Sequence, residues 1–183
     1  MELTITLGLR HKITMTGADH AFRSVTSISP GFLKKYGIRG LILDVDNTLA
    51  VHDDPVPAKG VPEWTDTMKK HGISLVIASN NHGERVISFA ERLGIKCLCD
   101  CGKPLRRGYT KALALMELQP GETAAVGDQL FTDIWGANFS GIRSIYVKPI
   151  KPEGRKHRFI RFKRILEKPF LPKQFIDYRK VEK

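Results

Sequence analysis

Between residues 40 and 149, short runs of consecutive apolar residues alternate with longer segments in which apolar residues recur every three or four positions. A brief continuous apolar run suits a strand buried on both faces, whereas the three-to-four spacing suits a helix with one buried stripe. The runs at 40–46, 74–79, 95–100, 123–128 and 143–147 read as strands, and the segments 61–71, 84–93 and 105–118 as helices. In the second helix Val86, Phe89, Ala90 and Leu93 fall on one face. Gly72, Gly94 and Gly121 follow the three helices, where a left-handed cap is expected. Strands alternating with helices predict an α/β fold, a mainly parallel five-stranded sheet flanked by helices. The stretch 51–62 holds three prolines and a glycine and reads as a loop. Leu3, Ile5, Leu7 and Leu9 alternate with polar residues and glycine, which predicts a further strand. The chain thus divides into an N-terminal extension (1–36) packed on the core, a core (37–150) and a C-terminal segment (151–183).

Composition narrows the class. The 183 residues are 42% hydrophobic and 27% charged, near the average for globular chains, which argues against wholesale disorder. No apolar run approaches the roughly 18 residues needed to cross a bilayer. The N-terminus lacks the basic and apolar regions of a secretory signal. Cys97, Cys99 and Cys101 lie too close together to staple a fold and lack the second pair that a closed zinc site needs, so they read as structural thiols in a reducing, cytoplasmic setting.

Charge is uneven. Thirty Lys and Arg against nineteen Asp and Glu give a net +11, of which +8 lies in the last 33 residues. The stretch 155–168 interleaves Phe159, Phe162 and Leu166 with Arg158, Arg161, Lys163 and Arg164, and on a helix the apolar residues gather on one side. Three readings stand for this basic amphipathic segment: an apolar face packed on the core, a peripheral contact with an anionic membrane, or a patch that tracks nucleic acid.

The residues that close the apolar runs carry the candidate chemistry. They are Asp44, Asp46 and Thr48, then Ser79 and Asn80, then Lys103, then Asp128 and Asp133. Ligands bind outside the carboxyl ends of the strands in parallel α/β sheets, so all could converge on one mouth. Asp44 and Asp46, two apart on a strand, share a face and repel unless a cation lies between them. Mg2+, with oxygen ligands that Asp128 could complete, suits such a site and leaves positions for phosphate oxygens. Ser79 and Asn80 offer hydrogen-bond donors, and Lys103 a fixed positive charge. His52 follows closely but reads as a solvated loop histidine without a role.

Asp44-Val-Asp-Asn-Thr-Leu49, Ser79-Asn-Asn81, Lys103-Pro104 and Gly127-Asp-Gln-Leu-Phe-Thr-Asp133 resemble, in order, the four motifs of the haloacid dehalogenase (HAD) superfamily over roughly 38–150. The resemblance implies a Rossmann-like core and an enzyme, a phosphatase. It implies Asp44 as nucleophile, forming an aspartyl-phosphate, and Asp46 as general acid and then base. It further implies Mg2+ held by Asp44, the Asp46 carbonyl and Asp128, with Ser79, Asn80 and Lys103 on the phosphoryl group. Asp133 would orient a metal-bound water or Lys103, with Thr48 in support. Thirty-one positions separate Thr48 from Ser79 and twenty-four separate Ser79 from Lys103, leaving no room for a cap domain and predicting an open mouth.

The fourth motif, the following Gly136-Ala-Asn138 and the approach Tyr36-Gly-Ile-Arg-Gly-Leu look similar to the capless YqeG-type phosphatases, related to phosphatidylglycerophosphate phosphatases. That resemblance places a lipid phosphate, phosphatidylglycerophosphate, first among substrates, at a membrane surface that 155–168 could touch. The alternatives are a soluble sugar or nucleotide phosphate, or a binding module for RNA or the ribosome with weak phosphatase activity.

Overall fold

The structure, a computed structural model, describes residues 4–5, 13–14, 17–81, 83–152 and 158–176. The strands are β1 (Thr4–Ile5), β2 (Ile13–Thr14), β3 (His20–Phe22), β4 (Gly40–Leu43), β5 (Ser74–Ala78), β6 (Lys96–Leu98), β7 (Thr123–Gly127) and β8 (Arg143–Val147). The helices are α1 (Pro30–Lys35), α2 (Val61–Lys70), α3 (Glu84–Leu93), α4 (Arg106–Met116), α5 (Trp135–Phe139) and α6 (Arg158–Glu167). β3 to β8 form one parallel sheet of six strands in the order β3-β8-β7-β4-β5-β6. This is the parallel α/β sheet that the apolar pattern predicts, in the Rossmann-like form that the resemblance implies.

Both faces of the sheet are covered, and the alternation of side chains along each strand divides the core in two. Leu41, Leu43, Leu75, Ile77 and Val126 pack with Trp64 and Met68 of α2 and Phe89 of α3. Ile42, Val76 and Ala125 pack on the other face with Tyr109, Ala112 and Met116 of α4 and with Ala137 of α5. Because the two central strands, β7 and β4, are buried on both sides, their apolar runs are unbroken.

The structure departs from the sequence pattern in a sixth strand and at the end of α4, and agrees with it, as far as it is described, at the N-terminal strand and the basic helix. A sixth strand, β3, comes from the N-terminal extension and pairs with β8; at three residues it is too short for a periodic signal. Of the alternating run that begins at Leu3, β1 pairs antiparallel with β2, and the rest lies outside the described residues. Gly72 and Gly94 adopt the left-handed conformation after α2 and α3, but α4 ends earlier, with Glu117 taking the left-handed position at φ 56°. Gly121 instead lies in the single turn Pro120–Glu122, since the proline disfavours helix at the residue before it. The basic segment forms α6, while 153–157 lie outside the described residues.

Candidate active site

β4, β5 and β7 are adjacent in the sheet and in register, Leu43 facing Ile77 on one side and Val126 on the other. Their carboxyl ends therefore bring Asp44, Ser79 and Asp128 to one edge. Lys103, in the loop before α4, reaches the same point. Its Nζ lies 2.6 Å from Asp44 Oδ1 and 2.7 Å from Asp133 Oδ1, and all three groups are buried. Asp133 can approach because residue 127 is glycine: a Cβ there would sit 2.3 Å from Asp133 Cγ. Tyr109 of α4 donates to the carbonyls of Thr132 and Asp133 at 3.1 and 2.9 Å, fixing the turn that carries Asp133.

Carboxylate oxygens of Asp44, Asp128 and Asp133 lie within 4.8 Å of one another. Asp44 Oδ2, Asp128 Oδ1 and Thr48 Oγ1 are buried and have no hydrogen-bond partner among the described residues. A buried carboxylate oxygen without a donor is costly unless a cation takes it, so this donor set fits a hard divalent ion. Burial pushes Asp44 up to about 7, with Lys103 opposing and Asp133 adding to the rise. Burial likewise drives Asp128 well above the usual carboxylate range, against the pull of Arg164. For Lys103 burial works toward neutrality, but Asp133 and Asp44 outweigh it and hold the ammonium charged.

Asp46 belongs to a second constellation. Its carboxylate accepts from Arg85 at 3.0 and 2.7 Å, from Asn81 Nδ2 at 2.7 Å and from the Asp53 amide at 2.9 Å. The side chain of Asp46 is thus outside the buried cluster of Asp44, Asp128 and Asp133. His52, expected to be a solvated loop residue, is instead largely enclosed, with Nδ1 3.9 Å from Asp46 Oδ1. Ser79 Oγ accepts from the Asn81 amide at 3.1 Å, which leaves its proton to donate. The Asn80 side chain pairs reciprocally with the backbone of Lys103 at 3.0 and 2.7 Å and so fixes the loop that presents the lysine.

Residues 14–141 match the family model described as haloacid dehalogenase-like hydrolase, a span that contains all four strand-end motifs. The chain belongs to that family. It is an enzyme, a HAD-type phosphatase. The chain is 38% identical to "Probable phosphatase YqeG" of Bacillus subtilis (strain 168) over 132 residues, covering 72% of this chain and 77% of that protein. It is 31% identical to the mitochondrial phosphatidylglycerophosphatase GEP4 of Saccharomyces cerevisiae over 126 residues, covering 61% of this chain and 67% of that protein. The fold is also that of the cobalt-bound deoxy-D-mannose-octulosonate 8-phosphate phosphatase of Haemophilus influenzae. That structure has a TM-score of 0.50 at 15% identity and covers 74% of this chain and 90% of that one.

Sequence reasoning missed the residues that hold the HAD motifs in place. Arg85 reaches Asp46 across 39 positions and Arg164 reaches Asp128 across 36. Neither carries a local signal, since an arginine on an amphipathic helix reads as solvated. Arg164 belongs to α6, and that helix roofs the mouth: a cavity of about 150 Å3 is lined by Asp44, Asp46, His52 and Lys103 and, from α6, by Ile160 and Lys163. The helix docks through polar groups. Lys163 Nζ lies 3.3 Å from Gln129 Oε1, and buried Glu167 accepts from the Phe131 amide at 3.0 Å. Ile160 faces the cavity, but the other four apolar side chains of the helix face outward, with Phe159, Phe162, Ile165 and Leu166 exposed by 73, 56, 59 and 48%.

Proposed function

We propose that the chain is a Mg2+-dependent phosphomonoesterase that works through an aspartyl-phosphate on Asp44 and acts on a lipid phosphate, phosphatidylglycerophosphate foremost, at a membrane surface. The observation that carries the chemistry is the buried cluster at the ends of β4 and β7, with unpartnered oxygens on Asp44 and Asp128 beside the Lys103 ammonium. Asp44, Asp128 and the Asp46 carbonyl would hold the cation. Mg2+, when bound, neutralises charge on the phosphoryl oxygens.

A carboxylate oxygen of Asp44 attacks phosphorus as the ester P–O bond breaks, and Asp46 gives its proton to the leaving alkoxide. Asp46 then takes a proton from water, whose oxygen attacks the phosphorus of the acyl phosphate and releases Asp44 and phosphate. Arg85 and Asn81 keep the Asp46 carboxylate aimed through both steps. Lys103 and the Ser79 hydroxyl stabilise the oxygens on which charge accumulates.

Two observations support the lipid reading. The yeast relative is named for phosphatidylglycerophosphatase activity. The helix beside the mouth turns apolar side chains outward between exposed Arg158, Arg161 and Lys168, a pattern suited to anionic headgroups. The test is phosphate release with Mg2+ from phosphatidylglycerophosphate in mixed micelles, set against sugar, nucleotide and peptide phosphates, with Asp44→Asn as the blank. Preference for the lipid is expected. Preference for a soluble ester would remove the lipid substrate and keep the chemistry, and release no faster than the blank would remove both.

A further inference from the structure

The two carboxylates that face each other at the ends of β4 and β7 are held in the same manner. Asp44 accepts from the Lys103 ammonium at Oδ1, and its Oδ2 has no hydrogen-bond partner among the described residues. Asp128 accepts from the Arg164 guanidinium at Oδ2, and its Oδ1 has no hydrogen-bond partner among the described residues. The Arg164 contact is a fork, because its second nitrogen donates to the backbone carbonyl of Asp128. Side chain and main chain of one residue are thereby tied to one rigid planar group, which fixes the direction of the carboxylate. The guanidinium is itself held, with Glu167 Oε2 3.4 Å away and Glu167 Oε1 anchored on the Phe131 amide. Lys163, Arg164 and Glu167 form one face of α6, and all three contact residues 128–131 or one another.

We propose that Arg164 is a positioning residue of the cation site: from α6 it clamps Asp128 so that Oδ1 stays directed into the acidic cluster, and the site is complete only when α6 is docked. This rests on the cation reading above. Partners that orient a ligating carboxylate govern metal affinity although they never touch the metal. Since the clamp and the cation use different oxygens of Asp128, the two bind together rather than in competition. Linkage then requires reciprocity: if docked α6 tightens cation binding, the cation must tighten the docking of α6.

The experiment is calorimetric titration of the full chain with Mg2+, for the unaltered protein, Arg164→Gln and Arg164→Lys, paired with amide hydrogen exchange across 158–167 in the unaltered protein. Arg164→Gln should weaken Mg2+ binding about tenfold. Arg164→Lys should recover part of that loss, because an ammonium can hold Oδ2 but cannot fork to the carbonyl. Addition of Mg2+ should slow exchange in α6. Equal or tighter binding in Arg164→Gln, or faster exchange in α6 with Mg2+, would overturn the proposal and make Arg164 a tethered cation that the metal displaces. The exchange arm needs no variant and decides the matter even if Arg164→Gln does not fold. Absence of Mg2+ binding in the unaltered protein would overturn the cation reading itself, a result distinct from Mg2+ binding that the Arg164 variants leave unweakened, which overturns the clamp alone.

Discussion

Gly127 sets how near Asp133 can come to Lys103, and a methyl group there meets Cβ and Cγ of a side chain already held by Lys103 and by the Gln129 amide at 3.1 Å. Gly127→Ala should therefore displace Asp133 and with it the lysine. A displacement near 1 Å at reacting groups costs roughly 100-fold, so kcat should fall by about that factor while circular dichroism stays unchanged; full activity would show that Asp133 can move without consequence. Asp44 gives a second prediction. Its folded value of about 7 exceeds the ordinary 3.8, so without a cation the folded protein holds a proton that the unfolded chain gives up, and stability falls as pH rises between those values. A cation must displace that proton, which becomes easier as pH rises. The rise in Tm caused by saturating Mg2+ should be larger at pH 8 than at pH 5.5, and the reverse order would remove Asp44 from the ligand set. These residues were legible in the sequence because each closes an apolar run. Arg85 and Arg164 were not, because their partners lie 39 and 36 positions away and only the folded chain brings them together.

At the scale of elements, the strands with long apolar runs and the helices with clear periodicity were readable, since burial on two faces or on one stripe leaves a pattern in every turn. β3 left none, with only three residues to show. α6 was readable as an amphipathic helix but not in the direction it faces. Packing of its apolar stripe on the core was one open reading; the helix docks instead through Lys163, Arg164 and Glu167 and leaves Phe159, Phe162, Ile165 and Leu166 outside. Periodicity reports that two faces differ, not which of them finds a partner. A triple substitution Phe159→Ser, Phe162→Ser and Ile165→Ser removes apolar area that is mostly exposed, at the cost of the Lys163 ammonium's contact with the Phe159 ring at 5.4 Å. It should leave Tm within a few degrees and reduce co-sedimentation with phosphatidylglycerol vesicles by at least tenfold, each fully buried side chain of this size being worth about 1.5–3 kcal/mol. A large fall in Tm would mean that these side chains pack on the domain, and unchanged vesicle binding would remove the helix from membrane contact.

For the whole molecule, the last described residues return to the edge strand β3 of the large sheet. Ile176 donates to the Ala21 carbonyl at 2.7 Å and bridges to Phe22, covering the free edge of β3, so α6 is tethered at its C-terminal end to the sheet that bears the catalytic groups. On the lipid reading proposed above, an anionic interface held against the exposed face of α6 would present its lipids to the mouth beneath that helix. The excess of +8 in the last 33 residues would make that contact electrostatic as well as apolar. Each basic residue near an anionic surface contributes about 1 kcal/mol, and the field shrinks from about 10 Å at 0.1 M salt to about 3 Å at 1 M. Salt should then act on the two substrate classes differently. Between about 0.05 and 0.5 M KCl, across much of that screening range, hydrolysis of a lipid phosphomonoester in anionic vesicles should fall by at least tenfold through KM. Hydrolysis of a small soluble phosphomonoester by the same preparation should change less than twofold, because its phosphate meets a cluster whose charges are buried and little screened. Equal salt dependence for both esters would place the effect in the active site and leave the basic helix without a part in delivering substrate.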